Sequence, residues 1–373
     1  MLQSIAEKRY HHAYIDGLRG IAILLVVVQH TYRALYLQLE APMAFPFLGG
    51  FLTTGGLGVP LFFMVSAFTL FGSSQKRWEA ESHPVRNFYL RRLFRIFPLW
   101  GFAVLVYGGL QHRAWQTLWI NFSMLFGFGR YHVGLEVVDV QWSLFVEEAF
   151  YLFLPLVFSL IRCGRTAFYF FLVTFFGGTL WLQYAATLGV PTTNHFIEMF
   201  PFTHWYCFAI GIALHFWKDS SGIFQSREWG KALGIGAAVL FVALCRQPFP
   251  YNTGAVLILF VSAMHPDSWV GRLSRTRLFR SLGIACYSIY LTHPLLIETL
   301  TPALAKWIKQ SPLSGLPFET IYTLWLPSFV ALSLGLAALT FTFIEKPSVR
   351  LGKKCIHWLE ARQVLRVAKA GTQ

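Results

Sequence analysis

The sequence predicts an all-α polytopic membrane protein with about ten transmembrane helices, and three observations support this fold class. Hydrophobic residues make up 55% of the 373 residues and charged residues only 13%. A soluble domain carries about 25% charged residues, so disordered chains, collagen-like fibres and ordinary soluble enzymes are excluded. Apolar segments of the length that crosses a bilayer, about 20 residues, recur along the chain. Lys and Arg concentrate in alternate connections between these segments.

The apolar segments follow one another with short connections, which indicates one membrane domain rather than several domains. This domain covers 18–344, between an N-terminal tail, 1–17, and a basic C-terminal tail, 345–373. No fixed-period repeat divides it. The predicted spans are 18–38, 55–74, 96–112, 142–161, 166–186, 201–217, 231–245, 251–265, 282–300 and 321–344.

The positive charges determine the orientation of the ten spans. Of the 31 Lys and Arg residues, 25 lie in the two tails or in connections on the same side as the tails, and six lie on the other side. Cytoplasmic connections of membrane proteins carry such an excess. Both termini are therefore predicted to be cytoplasmic. Topology accounts for most of the net charge of +14, so nucleic-acid binding is a poor explanation for it.

The cysteines and the N-terminal sequence exclude further classes. The five cysteines are scattered, odd in number and without a CxxC pair, so neither a disulfide framework nor a zinc site is predicted, and no metal is implied. The first apolar run continues into His30 without a small-residue cleavage motif, so a cleavable signal peptide is not expected.

The first predicted span holds two polar side chains that are costly to bury. Arg19 and His30 are 11 residues apart in DGLRGIAILLVVVQH, so they fall within roughly 20° of each other on one helix face. Arg19 then lies near the cytoplasmic boundary, and His30 lies about 16 Å deeper. An anchoring arginine and a structural histidine are the alternatives, but such residues inside spans usually serve function.

A second polar cluster opens the fourth predicted span, QWSLFVEEAFY. Ser143, Glu147 and Tyr151 recur every four residues and therefore share one helix face. Burying an ionised carboxylate unpaired is very costly, so Glu147 needs a partner, a proton or a water-lined cavity. The alternative is that the glutamate only interacts favourably with the positive end of the helix dipole. This explanation fits Glu148 better than Glu147.

Two further clusters carry candidate residues. The segment RRLFRIFP places Arg91, Arg92 and Arg95 at the cytoplasmic start of the third span, where arginine forks favour phosphate. The alternative is that these arginines only set the membrane topology or contact lipid headgroups. The ninth span, YSIYLTHP, offers Tyr290 and His293 for a polar path, with a proline that kinks or breaks the helix. Polar packing between helices is the alternative there.

These clusters belong to a set of six ordered motifs: DGLRGIAILLVVVQH at 16–30, GGLGVPLFFMVSAFTL at 55–70, RRLFRIFP at 91–98, QWSLFVEEAFYL at 141–152, YSIYLTHPL at 287–295 and FIEKP at 343–347. Each motif alone is weak. In this order, over almost the whole chain, the set resembles the acyltransferase family 3 of bacterial membrane O-acyltransferases. The resemblance implies a ten-helix core in the bacterial inner (cytoplasmic) membrane.

The resemblance also implies a reaction, the transfer of an acyl group, usually acetyl from acetyl-CoA, to a hydroxyl of an extracytoplasmic glycan or lipid-linked saccharide. The first-span Arg and His of the family correspond to Arg19 and His30, and its Arg-x-x-Arg motif to Arg92 and Arg95. Acyl-CoA phosphates are then expected at Arg91, Arg92 and Arg95, with Arg19 near the entrance of the pantetheine arm. The substrate-path candidates are Ser66, Trp142, Ser143, Tyr151, Tyr290 and His293.

The sequence departs from the family pattern at two places. Pro60 stands where the second-span motif often has Asp, and Ala67 follows Ser66 where the family has glycine. Many relatives carry a C-terminal SGNH domain that completes the transfer. No Gly-Asp-Ser stretch of that kind occurs here, so either a separate extracytoplasmic transferase acts as a partner or the chain delivers the acyl group itself.

His30 and Glu147 are the predicted catalytic residues. His30 acts as general base on the acceptor hydroxyl or carries the acyl group transiently, because imidazole titrates near neutral pH. Glu147 orients or charges a catalytic group, and the sequence leaves open whether the two side chains touch. A transporter or flippase of a lipid-linked sugar is the main alternative, although the pseudo-repeated halves typical of transporters are not evident. An acyltransferase of another fold and a structural or sensory protein are further alternatives.

The topology leads to a first prediction. Cysteine labelling or reporter fusions at Ser74, Arg272 and Gln373 should all report the cytoplasmic side, because the basic connections lie there. A periplasmic signal at any of the three positions would contradict the ten-span arrangement.

Overall fold

The computed structural model describes residues 13–40, 45–128, 136–190, 192, 195–218, 226–247 and 250–370. All regular elements among these residues are helical, as the sequence predicts. The long helices are α1 (Ala13–Leu39), α3 (Gly58–Ala80), α4 (Pro84–Leu110), α6 (Gln141–Leu160), α7 (Gly164–Tyr184), α9 (Pro201–Trp217), α10 (Arg227–Leu244), α11 (Thr253–Met264), α14 (Cys286–Lys309), α15 (Phe318–Thr340) and α16 (Lys346–Ala370). The short helices are α2 (Pro46–Leu52), α5 (Trp115–Phe122), α8 (Phe196–Met199), α12 (Trp269–Ser274) and α13 (Arg277–Ile284).

Each of the ten predicted spans falls largely on these helices. In the part of the chain that the structure describes, seven helical stretches are long and apolar enough to cross a membrane, and they contain α1, α3, α4, α6, α7, α9 and the run from α15 into α16. The segment predicted at 251–265 forms the 12-residue α11, and the one predicted at 282–300 is divided between α13 and α14. The chain is therefore a polytopic helical membrane protein. The number ten and the cytoplasmic termini stay predictions, and Gln373 lies outside the described residues.

Helix α1 packs against α3, α13 and α14 and forms the centre of the fold. Two glycines bring its first turns into backbone contact with the α12–α13 segment: Gly17 lies against the carbonyl of Ser274, and Gly283 lies against the carbonyl of Asp16. A Cβ atom at either glycine would overlap that carbonyl oxygen. Small residues allow membrane helices to approach in this way. The contact holds the Arg19 end of α1 beside α13.

Helix α14 continues through Pro294 rather than breaking there, and a tyrosine hydrogen-bonds to its backbone beside the proline. The Tyr107 hydroxyl accepts a hydrogen bond from the Leu295 backbone N–H at 2.7 Å and donates one to the Leu291 carbonyl at 2.8 Å. The side chain thus inserts into the helical ladder of hydrogen bonds, a recognised cause of local bending. No sequence pattern points to Tyr107, which lies on α4.

The segment predicted as a basic C-terminal tail forms helix α16, which packs against α4. A π-helical turn, Phe341–Glu345, joins it to α15. Gly352 lies directly against the Phe94 ring, and the Glu360 carboxylate accepts hydrogen bonds from Asn87 at 2.8 Å and Arg86 at 3.1 Å. These contacts fix the first turns of α16 beside the start of α4.

The glycine contact gives a second prediction. Gly283→Ala should lower the melting temperature of the purified protein in detergent, because overpacking costs roughly 1–3 kcal/mol where the backbone cannot move. Gly335→Ala is the matched control, since Gly335 lies inside α15 with nothing within 4 Å of the position that an added methyl group would take. This control should be neutral or slightly stabilising. Equal melting temperatures for the two variants would contradict the close approach of α1 and α13.

Candidate functional site

Three sites follow one another along α1. We name these the His pair (His30 and His293), the central cavity and the basic pocket. Along α1, Arg19 lines the basic pocket, Ala22 and Val26 line the central cavity, and His30 follows one turn beyond Val26. Positions three and four residues apart share a helix face, so one face of α1 joins all three.

The His pair links α1 to α14. His30 Nδ1 and His293 Nε2 are 2.9 Å apart, and the two rings stack with centroids 5.2 Å apart at an interplanar angle of 18°. His293 is fully buried, and His30 is half-buried. The other nitrogen of His293, Nδ1, lies 3.1 Å from the backbone carbonyl of Ile289.

These distances determine which ring nitrogens carry protons when both imidazoles are neutral. A carbonyl oxygen only accepts, so His293 Nδ1 must be the donor to Ile289. His293 Nε2 is then unprotonated and accepts a hydrogen bond from His30 Nδ1–H. His30 Nε2 is consequently left with a lone pair. The backbone of α14 therefore sets the tautomer of His30 through His293, a relay that the sequence could not reveal.

The central cavity lies between α1, α3, α6 and α14 and has a volume of about 40 Å³. Most of its wall is apolar, and its polar lining consists of Ser143, Glu147, Cys286, Tyr287 and Tyr290. The Ser143 and Tyr290 hydroxyls are hydrogen-bonded to each other, and Tyr290 also donates to the Val140 carbonyl at 2.9 Å. Trp142, by contrast, packs against the buried His204 ring, with centroids 5.3 Å apart.

Glu147 forms a buried cluster with Ser66 and Tyr151. Ser66 Oγ donates to the Glu147 carboxylate at 2.7 Å and lies 2.6 Å from the Tyr151 hydroxyl, which also donates to Glu147. These donors supply the partners that Glu147 needs, because burying an unpaired carboxylate is very costly. Within the described residues no hydrogen bond joins Glu147 to His30, so the two predicted catalytic residues occupy separate clusters.

The four candidate arginines lie at three different places. Arg19 and Arg95 both line the basic pocket, and Arg19 donates to Thr69 Oγ1 at 2.8 Å. Arg91 instead forms a two-pronged ion pair with Glu81, at 2.7 and 3.1 Å. Arg92 lies over the Tyr151 ring at 5.3 Å from its centroid, beside the Glu147 cluster. The structure therefore brings Arg19 to Arg95 rather than Arg92 to Arg95.

The basic pocket has a volume of about 370 Å³ and opens between α1, α4, α13 and α16. Its carboxylates already have partners: Asp16 lies 3.4 Å from Arg19, and Glu345 accepts a hydrogen bond from Ser288 at 2.7 Å. Its cations are Arg19, Arg95, Lys346, Arg350 and Lys353. The last three are not among the predicted site residues, although the FIEKP motif and their spacing mark the start of this helix. Within the described residues, no three His, Cys, Asp or Glu side chains converge as metal ligands.

Comparison with known proteins agrees with this architecture. Residues 12–344 match the sequence profile of an acyltransferase domain, acyltransferase family 3. The peptidoglycan O-acetyltransferase OatA of Listeria monocytogenes is 25% identical over 91% of this chain, and the chain spans 56% of that relative's length. Nodulation protein 10 of Rhizobium leguminosarum is 26% identical over 91% of this chain and 94% of its own length.

No solved structure matches the chain. The family match covers most of the sequence, from the first helix to the turn that precedes α16, and both relatives align over the same share of the chain. The family resemblance and the predicted enzyme class are thereby confirmed. The chain belongs to acyltransferase family 3.

Proposed function

We propose that this protein transfers an acetyl group from acetyl-CoA, bound at the basic pocket, to a hydroxyl of an extracytoplasmic glycan or lipid-linked saccharide. The observation that carries the proposal is the 2.9 Å contact of His30 Nδ1 with His293 Nε2, which leaves His30 Nε2 with a lone pair on the same helix face as Arg19 when both rings are neutral. The separation of these two residues, 11 positions on α1, corresponds to about 16 Å. That distance is comparable with the extended pantetheine arm of CoA.

The proposed reaction is a direct acyl transfer. The acceptor hydroxyl gives its proton to His30 Nε2 while its oxygen attacks the thioester carbonyl carbon. The carbon–sulfur bond then breaks, CoA leaves as a thiolate, and the His30 imidazolium returns the proton to sulfur. The products are an acetyl ester and free CoA. A transient acyl group on His30 would require the same lone pair, so both versions depend on the same tautomer.

The remaining candidates take supporting roles in this proposal. Arg19 and Arg95 bind phosphate, for which the planar guanidinium is suited. Glu147, which is hydrogen-bonded to Ser66 and Tyr151, forms part of the wall of the central cavity and does not touch the proposed base. Arg92 lies next to this wall and balances its negative charge.

The acceptor and the location follow from the relatives only as proposals. One relative is named for peptidoglycan and the other for nodulation, so a glycan hydroxyl is the shared chemistry we propose. With cytoplasmic termini in the bacterial inner membrane, the basic pocket faces cytoplasmic acyl-CoA and the His pair lies toward the other side. A separate extracytoplasmic transferase remains a proposed partner.

A third prediction tests the proposed function. Wild-type protein in liposomes should release CoA from labelled acetyl-CoA and pass the label to an added saccharide acceptor. His30→Gln should insert and bind CoA but lose transfer by about 10²-fold or more, because glutamine keeps polarity without titrating near neutral pH. Near-normal transfer by His30→Gln would remove His30 from the mechanism. Absence of label transfer by the wild type, with every acceptor class supplied, would contradict the proposed function.

A fourth prediction concerns His293 as a positioning residue. His293→Leu removes the acceptor for His30 Nδ1–H and should lower kcat by about tenfold or more while leaving KM for acetyl-CoA unchanged. His293→Gln should restore much of kcat, because its amide oxygen still accepts that hydrogen bond. Equal losses in the Leu and Gln variants would indicate a packing role instead.

A further inference from the structure

We propose that helix α16 forms the outer half of the CoA site, with Arg350 and Lys353 binding the 3′-phosphate of the nucleotide. This inference rests on the proposed function, since it takes acyl-CoA as the donor. It adds residues beyond 344, where the family match ends, in a segment that the sequence assigns to a tail. The shared ligand chemistry is a phosphate group on a polyanion.

The spacing on α16 supports the assignment. Lys346, Arg350 and Lys353 stand at i, i+4 and i+7, so they point from one helix face, and all three line the basic pocket. Each is exposed. Within the described residues none of the three forms an ion pair with a carboxylate, so their charge is available to a ligand.

The attachment of α16 makes this face part of a fixed site. Gly352, which precedes Lys353, lies against the Phe94 ring of α4. Glu360, two turns further along, is held by Asn87 and Arg86. Because Arg95 is on the same helix as Phe94 and Asn87, the cations of α16 keep a set position relative to Arg95.

The positions of the cations along the proposed path indicate which phosphate of CoA each of them binds. Arg19 is within one turn of Ala22, which lines the central cavity, so Arg19 and Arg95 are the cations nearest the route of the pantetheine arm. The diphosphate adjoins pantetheine in CoA, so we assign it to Arg19 and Arg95. The 3′-phosphate is on the ribose, beyond the diphosphate as counted from pantetheine, and is therefore assigned to the exposed cations of α16. The net charge of the five cations and two carboxylates is positive, which suits this polyanion.

The experiment compares two variants that remove the same charges from the same helix. Arg350→Gln/Lys353→Gln alters the pocket face. Lys354→Gln/Arg362→Gln removes one Arg and one Lys that do not line the pocket, and Arg362 stacks on Trp358 at 3.9 Å. Full-length proteins in phosphatidylcholine nanodiscs are titrated with CoA and with dephospho-CoA, which lacks the 3′-phosphate. A parallel set contains phosphatidylglycerol.

We expect Arg350→Gln/Lys353→Gln to weaken CoA binding about tenfold and dephospho-CoA binding less than about twofold. A tenfold loss of affinity is the size of effect expected when two exposed charge contacts to one phosphate are removed. The control pair should change neither by more than about twofold. Equal losses for both ligands would overturn the assignment to the 3′-phosphate. Unchanged CoA binding together with reduced retention of phosphatidylglycerol would overturn it in favour of a lipid headgroup.

The two levels of proposal fail in different ways. If wild-type protein transfers acetyl and binds CoA, but Arg350→Gln/Lys353→Gln binds CoA equally well in both lipids, only the α16 site is refuted. If the wild type binds no CoA, acyl-CoA is refuted as the donor and the α16 site with it.

Discussion

The hydrogen bond between His30 and His293 is the contact on which the rest of the site depends. It joins α1 and α14, two of the four helices that line the central cavity. Because the Ile289 carbonyl accepts a hydrogen bond from His293 Nδ1–H, this contact also sets which nitrogen of His30 is protonated when both rings are neutral. Tyr107 supports this contact by inserting its hydroxyl into α14 beside Pro294. Backbone groups within a membrane helix must be satisfied inside the protein, and beside this proline Tyr107 satisfies the Leu291 carbonyl and the Leu295 N–H.

The buried carboxylates of Glu147 and Glu345 are stabilised by hydrogen bonds from hydroxyl groups. Glu147 receives hydrogen bonds from Ser66 and Tyr151, and Glu345 receives one from Ser288. Each acid thus joins helices that are distant in sequence. A carboxylate in a low-dielectric interior needs such hydrogen-bond donors, because burying it without a partner is very costly. Polar groups at these positions stabilise the bundle and shape the path at once, so substitutions at Glu147 combine effects on folding and on function.

Sequence patterns predict the helices and one face of α1 but not the contacts between helices. Apolar length locates a membrane helix, and an 11-residue interval on α1 is enough to align Arg19 with His30. The pairing of His30 with His293 depends on tertiary packing over 263 positions of sequence separation, which no local pattern encodes. The Arg-x-x-Arg spacing predicts that Arg92 and Arg95 act together, yet the rotation of about 60° between positions i and i+3 is enough to direct one to Tyr151 and the other to the pocket. The basic residues of α16 resemble a cytoplasmic extension in sequence, and the packing of this helix on α4 is invisible without the fold.

The arrangement of the three positions along α1 addresses the main energetic problem of the proposed reaction. Moving the phosphates of CoA into the bilayer would be prohibitive, since each ionised group loses its hydration there. With phosphate held by Arg19, Arg95 and the cations of α16 at one end, only the neutral pantetheine arm and thioester need to enter between the helices. The acyl group then reaches the depth of His30 by the length of that arm, about 16 Å along α1, without movement of the nucleotide. The close glycine contact of α1 with α13 holds the Arg19 end of α1 in place at the basic pocket, while the rise of α1 itself sets the distance from Arg19 to His30.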